Sequence, residues 1–402
     1  MTPFTLRHLE YGFDNICRQI MHPEDVCAAA EPIMQEIGVA EVVDITHLDR
    51  LGIPVWAAIR PRAPPGSKPV HTGAGMTAAY AKSAAMLEAV ERFSGEYRGR
   101  VFNIASYEQI GLTRAVDPHD LILPRTLEVG EQLQWCTAWD LLNNAECQIP
   151  ANAVYYPYDP MSMAAQLFRS DANGLAAGYE PEEALLRGML EVIENDAMSV
   201  AHQEGSFPVR LTFDDGSPVA DICEILAGEG IDVHLWLIPG KTGVPTVAAA
   251  ADDTIARDPF MVITGSATDL NPECAAEKAL LSIICNRAGH LHAKESGVVK
   301  IRHGMIEKAG YERYKRINKI WFAEAGALPV EDVPDLSSRY VDEDIRTVLS
   351  AVDPHADRVC AVDLTKTALP ASRVIIPGFE VSYLDPSRTK SIAPNPYTEQ
   401  YY

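Results

Sequence analysis

The run Met86-Leu87-Glu88-Ala89-Val90-Glu91-Arg92 returns almost unchanged as Met189-Leu190-Glu191-Val192-Ile193-Glu194-Asn195. Each copy follows a glycine at the same distance, Gly75 and Gly178, through a helix-forming stretch, Thr77 to Ala85 and Pro181 to Gly188. A motif repeated at a fixed offset means duplicated structure, so the chain is expected to hold at least two equivalent units. Within each helix the two glutamates are spaced i, i+3 and share one face. If the helices come together, Glu88, Glu91, Glu191 and Glu194 converge, and like charges at close range are unfavourable without a counter-ion. Oxygen-only donors suit Mg2+ or Ca2+ rather than zinc. One Glu-x-x-Glu alone reads as a solvated helix face; two copies in matched apolar context favour a shared metal site.

At 402 residues the chain has room for two or three domain-sized units, or for one large domain of intertwined repeats. Its 34 basic and 56 acidic residues give a net charge of −22, which argues against non-specific binding to nucleic acid or anionic membrane. A basic phosphate pocket inside an acidic shell remains compatible with that charge. The eight cysteines form no Cys-x-x-Cys pair, so zinc and thioredoxin signals are absent. With no signal-like start and no apolar run long enough to cross a bilayer, the sequence predicts a soluble, cytoplasmic protein.

In chain order, Pro23-Glu24-Asp25 opens a helix that Gly38 closes. Upstream lie Arg7 and Arg18, either surface groups or cations within reach of a phosphate. Glu41 to Asp44 is strand-like, Gly52 to Ile59 reads as a buried strand, and a proline-rich loop leads to Gly73-Ala74-Gly75 and the first acidic helix. Thr77 is the expected N-cap, and Gly95 stands where a left-handed C-cap would fall. The stretch 101–144, with strand-like Gln134 to Trp139, reads as an insertion between repeats. Ile149 to Tyr156 is expected to be a strand. Behind it comes a glycine- and alanine-rich loop, Ser170 to Gly178, whose helix N-terminus suits an anion. On the second acidic helix Glu183, Arg187, Glu191 and Glu194 fall on one stripe.

A third unit echoes the others. Gly243 to Ala250 resembles Gly52 to Ile59, and Asn271-Pro272 caps a helix that reaches Ser282, Cys285 and Arg287. Setting Arg287 against Arg92 places Ser282 and Cys285 at the acidic positions, so the third copy is expected to present a phosphate-binding cation opposite the metal ligands. Residues 302–350 read as helical connection, Val359 to Leu364 and Arg373 to Ile376 as strands. The division expected is an N-terminal helical segment 1–40, a catalytic domain 41–390 and a tail 391–402.

These stretches resemble the YcaO family of ATP-dependent peptide-backbone modifying enzymes. The likeness is carried by Gly75 to Glu88-Ala89-Val90-Glu91-Arg92, by Asn173-Gly174-Leu175-Ala176-Ala177-Gly178 with Glu182, Glu183, Glu191 and Glu194, and by Asp363-Leu364-Thr365 with Arg373 to Glu380. The resemblance implies an α/β (α+β) fold of repeated β/α units enclosing an ATP site. It further implies that Glu88, Glu91, Glu191 and Glu194 ligate Mg2+, that Asn173, Glu183 and Ser83 support the nucleotide, and that Arg287 meets a phosphate during catalysis. The implied chemistry is phosphorylation of a backbone amide oxygen, followed by attack of a nucleophile and loss of phosphate.

Among subfamilies the chain is most similar to the methanogen form associated with thioamidation of a glycine in the methyl-coenzyme M reductase alpha subunit. The Asp49 to Val55 phrase and the length favour that form; the ending lacks a terminal Pro-x-Pro-x-Pro, and no leader-recognition domain is expected before residue 40. A protein or peptide substrate, an external sulfur donor and a TfuA-type partner are implied, and a homodimer is the default for an enzyme of this size. Five positions depart from the family pattern: Ala74, Ala84, Asn195, Ser282 and Cys285. A lost lysine or serine near phosphates costs about 1–3 kcal/mol of binding. Two other readings therefore stand beside the first: an azoline-forming cyclodehydratase, and a weakened paralogue that binds a peptide or partner without turnover.

Overall fold

A computed structural model describes residues 5–12, 17–97, 103–111, 113–160, 164–205, 207, 209–296 and 303–389; the tail expected at 391–402 lies outside them. The first unit begins with α1 (Pro23–Glu36), started by a proline with two acids in its first turn. Strands β1 (Glu41–Asp44), β2 (Val55–Ile59) and β3 (Val70–Ala74) then form an antiparallel sheet in that order. Helix α2 (Ala78–Gly95) follows, and Thr77 caps it by accepting from the Tyr80 backbone N–H. It lies on β3 because Gly73 has no side chain: a Cβ there would stand 2.4 Å from the Ala81 carbonyl oxygen and from the Ala85 nitrogen. Gly95 departs from the expectation. It is the last helical residue rather than a left-handed cap, and it is small because a Cβ would meet Leu175 Cδ2 at 2.5 Å.

The stretch 101–144 supplies β4 (Asn103–Ala105), the short α3 (Tyr107–Ile110) and β5 (Leu133–Asp140). β5 is hydrogen-bonded to three other strands, so this stretch builds the core of the C-terminal sheet. The strand expected over Ile149 to Tyr156 ends instead at Pro150, closing β6 (Ala145–Pro150), and a turn of helix α4 (Ala151–Val154) follows. Proline has no N–H for the ladder, and the Asn152 side chain binds the loop by accepting from the Leu167 N–H and donating to the Phe168 carbonyl.

The second unit is β7 (Leu175–Ala177) and the long α5 (Pro181–Glu204). The third comprises β8 (Val209–Thr212), α6 (Pro218–Gly228), β9 (Ile231–Ile238), β10 (Thr246–Asp253), β11 (Val262–Thr268) and α7 (Pro272–Glu295). After α8 (His303–Ala309) and α9 (Tyr311–Ile317), β12 (Gly326–Pro329) pairs in parallel with β8. Helix α10 (Val341–Val352) and strands β13 (Cys360–Asp363) and β14 (Ala371–Ile375) complete the described chain. Besides the first sheet there is one of order β11-β10-β9-β8-β12 and one of order β4-β5-β13-β14-β7, with β6 on β5. The fold is thus mixed α/β, as the family resemblance implied.

Two packing relations set up the site. The β1-β2-β3 sheet and the β8 to β12 sheet share an apolar core, in which Val55 and Ala57 belong with Val247, Ala249, Ala276 and Leu280. Helix α5 packs on β14 and β7 on one side and reaches β11 on the other. This brings the acidic faces of α2 and α5 to the end of the third unit.

The third unit also shows its true register. A Cβ on Gly265 would meet the Ala279 carbonyl oxygen at 2.7 Å and Ser282 Cβ at 3.0 Å, as one on Gly73 meets the Ala81 carbonyl oxygen and Ala84 Cβ. Ser282 therefore matches Ala84, and Arg287 matches Ala89, not Arg92. The alignment on arginine is displaced by most of a helical turn.

Candidate active site

A cavity of about 290 Å³ opens between α2, α5, the end of β11 and the first turns of α7, with Tyr11, Cys17, Arg18 and Gln19 of the N-terminal stretch among its lining. Helix α5 gives it Glu183, Arg187, Glu191 and Glu194, the stripe that the sequence pattern placed on one face. Ser83 enters from α2, and Asp269 and Lys278 from the third unit.

The duplicated acids are held in matching ways. Glu88 Oε2 accepts from the Thr72 backbone N–H at 3.0 Å, and Glu191 Oε2 accepts from the Gly174 N–H at 3.2 Å. Each is the first acid of its Glu-x-x-Glu, and each is tied to the strand, or the turn into it, that precedes its helix. Of the second acids, Glu91 lies 3.3 Å from the Arg92 guanidinium and Glu194 accepts from the Ser266 hydroxyl at 2.6 Å. The helices do meet. Burial pushes Glu191 up to about 8, with the charges of Glu91 and Glu194 adding to the rise and Arg92 opposing it. Burial likewise raises Glu91 to about 7, Arg92 working against it and Glu88 with it. Glu194 is raised by burial too, less the help of Ser266.

Buried carboxylates with raised pKa values, one of them lifted further by an acid of the other helix, are short of positive charge. The donors are all oxygen, the set that suits Mg2+. Among the described residues no three ligating side chains already close on one point. Glu88 stands farthest out, 3.8 Å from Arg92 and 3.9 Å from Lys68.

Cations line the same cavity. Lys278 Nζ is 2.6 Å from Asp269 Oδ2. Burial works against its charge, yet Asp269 and its other neighbours hold its pKa well above the ordinary value. Arg187 reaches the Ala177 carbonyl at 3.4 Å, and Arg18 donates to Asp344 at 3.2 Å. Acids that want a divalent ion, facing cations that want an anion, are the two halves of a site for a metal-bound polyphosphate.

The family model for YcaO cyclodehydratase, ATP- and Mg2+-binding, matches residues 72–380. The chain belongs to the YcaO family. An uncharacterized protein of Methanothermobacter thermautotrophicus is 37% identical over 375 residues, 92% of this chain and 97% of that protein. An uncharacterized protein in the tfuA 3′ region of Rhizobium leguminosarum bv. trifolii is 29% identical over 209 residues, 51% of this chain and 48% of that protein. The structure of YcaO from Methanopyrus kandleri bound with AMPPCP and Mg2+ has the same fold, with a TM-score of 0.78 at 24% identity over 96% of this chain and 99% of that one. ATP and Mg2+ are the cofactors of this YcaO protein, and the all-oxygen acids beside cavity-lining cations fit them.

The other residues implicated by the YcaO resemblance fall in different places. Ser83 lines the cavity and donates to the Tyr80 carbonyl at 2.9 Å. Both carboxylate oxygens of Glu183 accept backbone N–H groups, from Ile20 at 3.0 Å and from Tyr179 at 2.8 Å, so it works by fixing the chain around the cavity. Asn173 lies in a neighbouring small cavity with Asp171 and Arg373, and its Oδ1 accepts from Asn195 Nδ2 at 2.9 Å. Asn195, one of the five departures from the family pattern, also donates to the Glu191 carbonyl and so braces the acidic helix.

Arg287 is not brought to the cavity. Its guanidinium is 1% exposed and pairs with Asp49 at 2.8 Å and Asp253 at 3.1 Å. Asp253 ends β10, whereas Thr246 at the other end pairs with Thr268 beside the cavity, roughly 20 Å of strand away. A buried guanidinium already matched by two carboxylates is an internal brace. Sequence reasoning passed over Lys278 and Asp269, which have no counterpart in the duplicated motif, and Ser266, whose contact with Glu194 depends on how α5 meets β11.

Proposed function

We propose that this YcaO protein phosphorylates the oxygen of a peptide backbone amide, which an external sulfur donor then converts to a thioamide. The observation that carries this reading is that Glu191 and Glu194 line one cavity with Lys278 and Arg187, while the charge of Glu91 on α2 reaches Glu191 from the other helix. In it Glu88, Glu91, Glu191 and Glu194 hold Mg2+, which offsets the negative charge of the triphosphate when bound. Lys278, steadied by Asp269, meets a phosphate from the third unit. It supplies the charge that Ala74 lacks and that Arg287, paired elsewhere, does not bring. Arg187 stands one turn before Glu191 and takes a second phosphate oxygen. Ser83 and the Glu183 anchor shape the wall around the nucleotide, while Asn173 and Asn195 support Glu191 from behind.

The proposed substrate is a glycine of the methyl-coenzyme M reductase alpha subunit. Its support is the likeness to a Methanothermobacter thermautotrophicus protein and the shared fold with a Methanopyrus kandleri one. A TfuA-type partner for sulfur delivery is favoured by the relative encoded in a tfuA 3′ region.

The test is incubation of the protein with ATP, Mg2+, sulfide and a peptide spanning that glycine, followed by mass spectrometry. The expected product carries sulfur in place of one oxygen, with one phosphate released per exchange. Loss of water from a Cys, Ser or Thr peptide would make the protein an azoline-forming cyclodehydratase instead. ATP binding with neither product would leave the non-catalytic paralogue.

A further inference from the structure

The N-terminal stretch before α1 is fastened to the cavity from both sides. Arg7 donates to Glu180 and Glu182 at the start of α5, each at 2.6 Å. The Tyr11 hydroxyl donates to Asp344 of α10 at 2.7 Å, and Arg18 donates to the same carboxylate. The Ile20 N–H donates to Glu183. Gln19 lies between the last two of these anchors, so its backbone has little freedom. Its side chain lines the cavity and is 7% exposed, yet Oε1 has no donor among the described residues.

A buried acceptor without a donor is unfavourable, and native chains keep one where a ligand or water completes it. Its place along the cavity identifies what completes it. The acids that call for the metal sit at Glu191 and Glu194, whereas Ile20, the residue after Gln19, is tied to Glu183, about 12 Å back along the same helix. Between these levels α5 turns Leu186 and Leu190 to the cavity, an apolar wall suited to a sugar or a base. A nucleotide with its phosphates at the acids therefore extends its base toward Gln19.

Resting on the ATP reading above, we propose that Gln19 selects adenine: its carboxamide oxygen accepts from the exocyclic amine and its nitrogen donates to the ring nitrogen N7. A carboxamide is the side chain whose donor and acceptor match those two groups side by side. On that edge guanine presents two acceptors, its carbonyl and N7, which neither orientation of the carboxamide can match.

The experiment measures affinities for ATP, GTP and inorganic tripolyphosphate, each with Mg2+, by titration calorimetry on wild type, Gln19→Met and Gln19→Glu. The expected result for Gln19→Met is about a tenfold loss of ATP affinity, no change for tripolyphosphate, and collapse of any preference for ATP over GTP. Gln19→Glu, which keeps an acceptor, retains part of that preference. The melting temperature of nucleotide-free Gln19→Met should stay level or rise, because the change removes an unsatisfied group; an amide kept for folding alone would lower it. Unchanged ATP affinity in Gln19→Met, or equal losses for ATP and tripolyphosphate, would overturn the assignment of Gln19 while leaving the ATP site in place. If wild type bound neither ATP nor tripolyphosphate, the nucleotide reading of the cavity would fall and this proposal with it.

Discussion

Helices α5 and α7 occupy the same place in their units and put it to opposite use. On α5 the stripe of Glu183, Arg187, Glu191 and Glu194 faces the cavity, and burial, with the charges of Glu91 and Glu194 behind it, lifts the pKa of Glu191. On α7 only the first turns reach the cavity, through Lys278, and farther along Arg287 turns into the protein against Asp49 and Asp253. What separates the two is which residue stands at each position. Gly265 sets α7 on its strand so that Ser282 sits where α2 has Ala84, and five residues on, Arg287 falls on the buried side. Duplication supplies a frame that brings helices to a common centre. Which side chains arrive there depends on where a glycine lets strand and helix touch.

The comparison breaks first at Glu191. Replacing it by Gln should lower Mg2+-dependent phosphate release from ATP by at least about 100-fold while circular dichroism shows the fold retained. Activity near wild type would mean that α5 does not hold the metal. Next comes the brace on α7. Arg287→Ala leaves Asp49 and Asp253 buried without their partner and should destabilise the chain by about 3–5 kcal/mol, read from the urea midpoint. Measured at low temperature, where the variant stays folded, its ATP affinity should match wild type; a selective loss of ATP binding would return Arg287 to the site. A smaller effect belongs to Lys278→Met, which should weaken binding of ATP with Mg2+ about tenfold, with partial recovery in Lys278→Arg.

The smallest effect is in pH. Glu91 and Glu191, lifted to about 7 and about 8, keep protons in the fold that the unfolded chain gives up above its ordinary value of 4.5. Their contribution to stability is therefore full below that value and is lost as pH rises through 7 and then 8. Mg2+ must expel those protons to bind, so its affinity should climb over the same window. Thermal melts with and without Mg2+ should show the larger gain at about pH 8.5 than at about pH 6. Equal gains at both would remove the pairing of acids across the helices.

Much of this was legible in the chain. The acids of α2 and α5 announce themselves because helical spacing and repetition are both local, and the Thr77 cap and strand β2 follow from equally local chemistry. Arg287 misled because an identical residue type is a weaker guide to register than the glycine contact, which no single helix encodes. The strand expected through Tyr156 stopped at Pro150, a residue that cannot donate to a ladder. The N-terminal stretch looked unpatterned because its partners, Glu180, Glu182, Glu183 and Asp344, stand on helices far along the sequence. Gln19 is invisible for the same reason: its meaning lies in a missing partner inside a cavity that four distant segments enclose.

The most direct test of the account is a crystal soaked with Mn2+ and a non-hydrolysable ATP analogue, examined by anomalous diffraction. The account predicts manganese peaks within ligating distance of Glu191 and of at least one acid from α2, with the phosphates reaching Lys278. Peaks confined to one helix, or phosphates lodged against Arg287, would contradict it.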